Sequence, residues 1–519
     1  MSAYDALVIG SGAGGGTLAY RLATAGKRVL ILERGGFLPR EKANWDTRAV
    51  FRENRYHTRE IWEDGGGKPL HPQTGYWVGG NTKVYGAALF RLRKEDFEVV
   101  RHRGGVSPEW PLKYADFEPY YTRAEKLFQV HGKQGVDPTE PYRSEDYPFP
   151  PISNEPRMQE IEDGLRGLGL RPFPTPLGLK LKERNRPESR CIRCDTCDAY
   201  PCLVHAKSDA DVDCIRKIMH LENVTLITHA KVLRLDTNAT GTEIASVEAE
   251  IADAENPTAP PRRTNFSADL YVVSCGAINS AALLLRSANE RHPDGFANRS
   301  GQVGRNLMFH EADVVLAVTA KKTRGRYLKT VSVNDFYFGD ADYPYPMGNI
   351  QPLGSVHSEM IKSDAPRFTP LFLLRLLAER AVPWWLTTED LPNSENRVTL
   401  SNGTIRLDYR ANNLESFHRL RKTWIRALKR IGHADQTFRF GAYFNRRAPL
   451  GAVGHQNGTC RFGADPATSV LDLNCRAHEI ANLYVVDSSF FPSCGAVNPC
   501  LTVIANALRV GDHLVDRLG

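Results

Sequence analysis

The chain begins with a short apolar run, a cluster of glycines, and then apolar positions at helical spacing. Residues Ala6–Ile9 have the composition of a buried parallel strand. Leu18, Leu22 and Ala25 then recur at the spacing of a helix, and a second apolar run follows over 28–32. This pattern predicts a strand–helix–strand unit at the start of the chain.

The glycines in this unit follow the spacing G-x-G-x-x-G at Gly10, Gly12 and Gly15. In such units the first glycine permits a tight turn, the second lets the backbone approach a pyrophosphate, and the third lets the helix pack on the strand. Glu33 follows the second strand, where a carboxylate can accept hydrogen bonds from a ribose diol. The unit therefore predicts a dinucleotide site, and a glycine turn without a ligand is the alternative.

The rest of the chain divides by pattern into an excursion, a return to α/β alternation, and a sheet-rich region. Residues 105–190 are rich in proline, tyrosine and charge, and the sequence after residue 450 returns to the α/β pattern. The predicted elements are helices over 116–130, 281–285, 414–431 and 504–514, and strand-like segments within 223–236, 243–272, 271–277, 335–338, 343–347 and 397–400.

We therefore expect an α/β fold with a Rossmann-like nucleotide-binding domain and an α+β substrate-binding domain built on an antiparallel sheet. The nucleotide-binding domain is predicted to be discontinuous, over 1–105, 200–310 and 451–519. Residues 106–199 form an excursion or lid that carries a cysteine cluster, and 311–450 form the substrate-binding domain.

Composition limits the class of protein. At 519 residues the chain is too long for one ordinary core. The net charge is +7, but basic runs such as 419–422 are short, which favours a solvated surface over nucleic-acid binding. No stretch reaches the roughly 20 apolar residues of a membrane span. Because the chain enters its first strand by about residue 4, we expect no signal peptide and a cytoplasmic location.

Three C-terminal segments complete the pattern: 454–460 (GHQNGTC), 482–489 (NLYVVDSS) and 495–502 (GAVNPCLT). Together with the N-terminal unit, Gly79-Gly80 and Gly276-Ala277, they make the chain resemble the glucose–methanol–choline oxidoreductases over essentially its whole length. The resemblance implies FAD rather than NAD, a small-molecule alcohol as substrate, and oxygen or another electron acceptor.

The resemblance also implies the cofactor contacts. Asp487 matches an acid near the ribityl–phosphate portion of the flavin, and Val232 matches a residue whose backbone meets the adenine. The implied contacts are Gly10, Gly12, Ala13, Gly14, Gly15, Glu33, Arg34, Gly79, Gly80, Asn81, Gly86, Val232, Ser274, Gly276, Asp487, Asn498 and Pro499. The family's usual Asn-Gly is Tyr85-Gly86 here, and Lys83-Val84 stand where some relatives carry covalent flavin on a Thr-His-Trp segment, so we expect non-covalent FAD.

His455 matches the family's catalytic histidine, and Asn498 falls where many members carry a second histidine. Alcohol oxidation requires that the hydroxyl proton be removed as a hydride leaves carbon, and a neutral imidazole is a suitable base. An amide can hold the hydroxyl but cannot take its proton. We therefore expect His455 to be the general base and Asn498 its orienting partner; a structural histidine and a loop asparagine are the alternatives. His310, near another family landmark, is interpreted as structural.

Cys191, Cys194, Cys197 and Cys202 are closely spaced, with Cys214 beyond them. Such spacing suits an iron–sulfur cluster or zinc, and some bacterial sugar dehydrogenases of this family carry a cysteine-bound iron–sulfur centre. Disulfides and free thiols remain alternatives, and we assign no metal.

The expected function is FAD-dependent oxidation of a CH–OH group in a sugar or polyol-like substrate, by proton abstraction and hydride transfer to the flavin. The substrate class rests on the mixture of aromatic and acidic residues over 330–400. A sterol or long-chain alcohol is the alternative substrate. The alternative activities are a hydroxynitrile lyase, in which bound FAD performs no redox step, and an NAD-linked dehydrogenase.

Overall fold

The computed structural model describes residues 3–256, 258–319, 322–323, 325–432, 434–435 and 450–519. Residues 436–449, the last part of the predicted substrate-binding domain, therefore lie outside the described residues. The strands are β1 (Ala6–Ile9), β2 (Val29–Leu32), β3 (Trp62–Asp64), β4 (Pro69–Leu70), β5 (Val100–His102), β6 (Gly105–Ser107), β7 (Val130–His131), β8 (Phe173–Pro174), β9 (Leu177–Gly178), β10 (Val224–Ile227), β11 (Ala230–Thr237), β12 (Ile244–Ile251), β13 (Arg262–Phe266), β14 (Leu270–Val273), β15 (His310–Val318), β16 (Val331–Ser332), β17 (Asn349–Pro352), β18 (Ala381–Glu389), β19 (Arg397–Ser401), β20 (Thr404–Asp408), β21 (Ala434–Asp435) and β22 (Leu483–Val485). The helices are α1 (Ala13–Thr24), α2 (Tyr114–Leu127), α3 (Pro156–Gly167), α4 (Arg216–Ile218), α5 (Ala277–Arg286), α6 (Ser358–Asp364), α7 (Leu371–Ala378), α8 (Leu414–Arg430) and α9 (Cys500–Arg517).

A parallel sheet in the order β10-β2-β1-β14-β22 forms the first core. Every residue of β1, β2 and β14 is buried, as continuous apolar runs predict for strands covered on both faces. Helix α1 returns the chain from β1 to β2 and packs against α9, which confirms the predicted strand–helix–strand unit. The carboxyl ends of these strands therefore meet at one edge of the sheet, where α/β folds bind their ligands.

A second sheet has the order β17-β18-β15-β21, and its neighbouring strands pair antiparallel. β15 and β18 pair along their whole length, from His310 opposite Glu389 to Val318 opposite Ala381. Helix α8 covers one face, where the rings of Trp384 and Trp424 lie 4.6 Å apart. His310, the first residue of β15, lies 3.0 Å from the Gly495 carbonyl oxygen, and Gln351 in β17 donates to Asn498 (2.7 Å), so this sheet contacts the C-terminal segment.

Two of the predicted strand-like segments, 335–338 and 343–347, are not strands: the first is a turn, and the second has only an isolated bridge at Tyr343. Hydrogen bonds hold Tyr337 in the turn instead, because its hydroxyl donates to Asp96 and accepts from the Ala496 amide. The predicted strand at 397–400 exists as β19. It belongs, however, to a separate sheet in the order β19-β20-β3-β4, whose last two strands come from the N-terminal part of the chain.

Helices α6 and α7 were not predicted. In α7 nearly every position is apolar (LFLLRLLA), so the sequence carries no helical alternation to detect. Within the described ranges, no helix is both long and apolar enough to cross a membrane.

Candidate active site

A cavity of about 470 Å³ lies between the carboxyl ends of the parallel strands and the second sheet. Ile9, Glu33 and Cys275 line it from the parallel sheet, whereas Val314 and Trp385 line it from the antiparallel sheet. Its position is the one that the topology of parallel α/β sheets favours for ligand binding.

The floor of the cavity is made of glycine backbone. A Cβ on Gly80 would lie 3.0 Å from the Gly12 Cα atom, so these two glycines face each other without room for a side chain. Helix α1 starts at this point, with Gly12 as its N-cap, no side-chain cap and no acidic residue in its first turn. Its first amide groups are therefore available to a phosphate, and this part of the cavity fits a dinucleotide pyrophosphate.

Glu33 lies at one end of the cavity. Its carboxylate accepts hydrogen bonds from the Ser11 amide (2.9 Å), the Ser11 hydroxyl (2.6 Å) and the Gly35 amide (2.9 Å). Burial raises its pKa, against the effect of these donors. Val232 and Arg34 line the same end, and the Arg34 guanidinium lies 3.8 Å from the centre of the Tyr76 ring. This end offers a fixed carboxylate beside flat surfaces, as an adenosine moiety requires.

Asp487 follows β22 in the middle of the cavity. Its side chain accepts from the amides of Gly276 (3.0 Å) and Ser489 (2.9 Å), and its burial raises its pKa. The carboxylate thereby ties the start of α5 to the C-terminal segment.

Most of the predicted cofactor contacts line this one cavity. Those that do are Gly10, Gly12, Ala13, Gly14, Glu33, Arg34, Gly80, Asn81, Gly86, Val232, Ser274, Gly276, Asp487, Asn498 and Pro499. Gly15 and Gly79 are not among its lining residues. A Cβ on Gly15 would collide with the Gly10 carbonyl oxygen, so this glycine serves the packing of α1 on β1, and the Gly79 amide donates to the Ser11 hydroxyl.

His455 and Asn498 meet near the antiparallel sheet. The Asn498 Nδ2 atom lies 3.4 Å from His455 Nε2, and both side chains line the cavity. The sequence, which separates these residues by more than forty positions, thus predicted two groups that the structure brings together.

His310 contacts His455 directly, which its interpretation as a structural residue did not foresee. The two Nδ1 atoms are 2.8 Å apart, and His310 Nε2 lies 3.0 Å from the Gly495 carbonyl oxygen. A carbonyl only accepts, so His310 carries its proton on Nε2 and its Nδ1 is an acceptor. His455 must then donate from Nδ1, which leaves its Nε2 unprotonated.

Both histidines are held neutral. Burial lowers the pKa of His310 to about 4. It also lowers the pKa of His455 well below its usual value, with further contributions from the neighbouring His310 and Lys329. The unprotonated Nε2 of His455 is therefore the state present at neutral pH.

A row of amides fixes the orientation of Asn498. Asn334 donates to the Asp137 carboxylate (3.0 Å), Asn349 donates to the Asn334 oxygen (2.7 Å), and Gln351 donates to the oxygens of Asn349 (3.0 Å) and Asn498 (2.7 Å). Because a carboxylate only accepts, Asp137 sets the direction of every bond in the row. Asn498 must therefore turn its NH₂ group towards His455.

Several residues of the cavity were not singled out from the sequence. They include Asp198, Arg286, Lys329 and Gln351. Each is an ordinary polar residue outside any motif, and only the pairing of distant segments brings it to the site.

All ten cysteines are unpaired thiols in the structure. Among the residues that the structure describes, no three histidine, cysteine or acidic side chains are arranged to hold a metal ion. Burial raises the pKa of Cys191 to about 11, and the Cys202 sulfur accepts a hydrogen bond from the Ala206 amide (3.2 Å).

Comparison with known proteins gives matches along the whole chain. Family models described as GMC oxidoreductase match residues 152–312 and 392–507, and one described as FAD binding domain matches 5–38. Paromamine 6'-oxidase of Streptomyces fradiae is 32% identical, and 6'''-hydroxyparomomycin C oxidase of Streptomyces lividus is 31% identical; each match covers 99% of this chain and 92% of the relative. The fold is similar to that of pyridoxine 4-oxidase from Mesorbium loti, with a TM-score of 0.66, 20% identity, and coverage of 98% and 99% of the two chains.

Proposed function

This chain belongs to the GMC oxidoreductases and is an FAD-dependent enzyme that acts on alcohol groups, and from that premise we propose that it oxidises a CH–OH group of a sugar or polyol-like substrate. The observation that carries the proposal is the unprotonated Nε2 of His455, which faces the cavity beside the Asn498 amide.

The glycine floor, Glu33 and Asp487 are the proposed holders of FAD. The first amides of α1 bind the pyrophosphate, Glu33 accepts from the ribose, and Val232 lines the adenine end. When bound, FAD supplies the hydride acceptor for the reaction.

We propose that the cofactor is held without a covalent bond. Lys83, in the segment where some relatives attach flavin, is buried with its ammonium between the carboxylates of Asp209 (3.0 Å) and Asp211 (2.8 Å). These neighbours raise its pKa, which keeps it a cation rather than a nucleophile. Acid precipitation of the protein should therefore release all of the yellow colour into the supernatant; colour retained in the pellet would contradict this.

His455 and Asn498 divide the work on the substrate hydroxyl. His455 Nε2 accepts the hydroxyl proton as the carbon–hydrogen bond breaks, and the fixed NH₂ group of Asn498 donates a hydrogen bond to the substrate oxygen. Since Nδ1 of His455 is already bonded to His310, the imidazole cannot turn away from the substrate. General base catalysis of this kind contributes about 10²–10⁴-fold to a rate.

The antiparallel sheet is the proposed substrate wall. Val314, Leu316 and Trp385 line the cavity on the side opposite the glycine floor. This arrangement supports the assignment of the 311–450 region as the substrate-binding part and leaves the parallel sheet to the cofactor.

The substrate class follows from two kinds of support. The relatives named above are oxidases whose names specify paromamine and a hydroxyparomomycin. In addition, the cavity near His455 contains charged and amide groups as well as apolar ones. The apolar body of a sterol would leave the buried oxygen of Gln351, which has no hydrogen-bond partner among the described residues, unpaired at a cost of about 1–3 kcal/mol.

The test is anaerobic mixing of the purified FAD enzyme with sugars, polyols, a sterol, a long-chain alcohol and a cyanohydrin, with flavin absorbance as the readout. We expect bleaching by sugars or polyols. Bleaching by the sterol or long-chain alcohol alone would refute the substrate class. An unchanged flavin spectrum together with cyanide release from the cyanohydrin would refute oxidation and favour a lyase.

A further inference from the structure

We propose that Asp198, Lys329 and Gln351 form a subsite for hydroxyl groups on the carbons next to the one that is oxidised, so that the enzyme selects polyhydroxylated substrates over plain alcohols. The inference rests on the proposed function and identifies the part of the cavity that recognises the substrate.

The first observation is an ion pair inside the cavity. The Lys329 ammonium donates to the Asp198 carboxylate, and the two side chains are 4% and 16% exposed. Both line the same cavity as His455 and Asn498. The pair thus lies within the walls that would surround a substrate rather than on the outer surface of the protein.

The second observation is the backbone that makes room for this pair. A Cβ on Gly86 would collide with both the Lys329 ammonium and the Asp198 carboxylate. Gly86 has no positive φ, so its conformation does not demand glycine. Space for the pair is therefore the physical reason for a glycine at this position.

The third observation is an acceptor without a donor. Gln351 is 1% exposed and lines the cavity, yet its Oε1 atom has no hydrogen-bond partner among the described residues. Its Nε2 is fully used by Asn349 and Asn498, so the side chain cannot flip to relieve this. A buried acceptor left unpaired is costly, and a donor from a bound molecule would satisfy it.

These three groups together specify the chemistry of the ligand. Asp198 and Gln351 accept hydrogen bonds, and Lys329 donates them. A hydroxyl group does both, so neighbouring hydroxyls satisfy all three. Because the charges of Asp198 and Lys329 neutralise each other, a charge of either sign on the substrate would meet no net attraction at this pair. A plain alkyl chain would leave the Gln351 oxygen unpaired and would further desolvate the Asp198–Lys329 pair.

The test keeps the carbon number constant and changes only the polar groups. The probes are 1-hexanol, 1,2-hexanediol, D-glucitol and 6-amino-1-hexanol, and the readout is kcat/KM for each. For the wild-type enzyme we expect at least a tenfold increase from hexanol to glucitol, with the diol between them and the amino alcohol no better than hexanol. Equal or decreasing values from hexanol to glucitol would overturn the proposal, and so would a preference for the amino alcohol over glucitol.

A double variant, Asp198→Asn with Lys329→Met, removes both charges together and so leaves no isolated charge in the cavity. We expect the ratio of kcat/KM for glucitol to that for hexanol to fall at least tenfold. The matched control is the exposed pair Lys182–Glu188, changed to K182M/E188Q, which should leave the ratio unchanged. An unchanged ratio in the cavity variant would overturn the proposal.

The wild-type series remains informative even if the cavity variant does not fold, because it needs no substitution. Failure of this inference also differs from failure of the proposed function. If the enzyme oxidises hexanol as fast as glucitol, only the subsite is refuted. If no alcohol reduces the flavin of the enzyme, the proposed function itself is refuted.

Discussion

Replacing His310 with phenylalanine should slow catalysis, although residue 310 is not one of the groups that bind the substrate. His310→Phe removes the acceptor for the Nδ1 proton of His455, which lies 2.8 Å away in the wild-type structure. His455 then loses the acceptor that holds its proton on Nδ1, so the tautomer with a protonated Nε2, which cannot act as a base, becomes more populated. General base catalysis contributes about 10²–10⁴-fold, so we expect the variant to lose on the order of 10²-fold in the rate of flavin reduction. At about 1.4 kcal/mol per factor of ten, this corresponds to about 2.7 kcal/mol of transition-state stabilisation.

The pH dependence separates this role from a merely structural one. Burial, His310 and Lys329 all lower the pKa of His455, so the wild-type rate should stay high below pH 6.5 and fall only in more acidic solution. Removing His310 removes one of these contributions, so the pKa of His455 rises and the acidic limb of the profile moves to higher pH. The assay is anaerobic stopped-flow reduction of the flavin by one alcohol across the pH range.

Two further variants complete the experiment. His310→Gln restores an acceptor and should recover part of the rate, whereas His292→Phe replaces another buried histidine, bonded to the Gly241 carbonyl, and should leave rate and pH profile unchanged. If His310→Phe reduces its flavin at the wild-type rate with the wild-type pH profile, the tautomer argument is refuted.

Three other predictions concern the amide row, the cofactor and the packing of α1. Asp137→Asn removes the group that sets the direction of the amide row, so kcat/KM should fall about tenfold (about 1.4 kcal/mol) at unchanged FAD content; a wild-type value would contradict the role of Asp137. Glu33→Gln weakens the acceptor proposed for the ribose, so fluorescence titration should show an FAD Kd raised about tenfold, and an unchanged Kd would argue against that contact. Gly14→Ala puts a Cβ into the Val486 carbonyl, so it should lower the free energy of unfolding by about 1–3 kcal/mol, measured in urea; Gly167→Ala, where a Cβ meets nothing within 4 Å, is the control, and equal stability of the two variants would refute the packing argument.

The parallel sheet was predictable because its signal is local. The strands Ala6–Ile9 and Leu270–Val273 are continuous apolar runs, and burial on both faces is what such runs require. The segments 335–338 and 343–347 were predicted to be strand-like because aromatic residues favour strands, whereas the first forms a turn and the second has only an isolated bridge at Tyr343.

The residues of the site also divide into those predicted from a local motif and those whose role depends on partners far away in the sequence. Most of the predicted glycines, Glu33, His455 and Asn498 lie in motifs, so the sequence predicted them and the structure brings them to one cavity. The role of His310 depends on the Gly495 carbonyl, far away in sequence, and a tautomer cannot be inferred from a lone histidine.

Gln351 and Lys329 show the same limit in the substrate half of the cavity. Each stands outside any motif, and the chemistry of each depends on partners from distant segments, Asn498 for the first and Asp198 for the second. Side chains of this kind determine what a cavity recognises, so the substrate class was the least predictable feature of the sequence.

We propose that His455 removes the hydroxyl proton during oxidation of an alcohol. The most direct test compares anaerobic flavin reduction by the best alcohol in the wild-type enzyme and in His455→Gln, with both proteins loaded with FAD to the same extent. We expect the wild type to bleach and the variant to retain its flavin spectrum but to be reduced about 10²–10⁴-fold more slowly. Reduction of the variant at the wild-type rate would show that His455 is not the base.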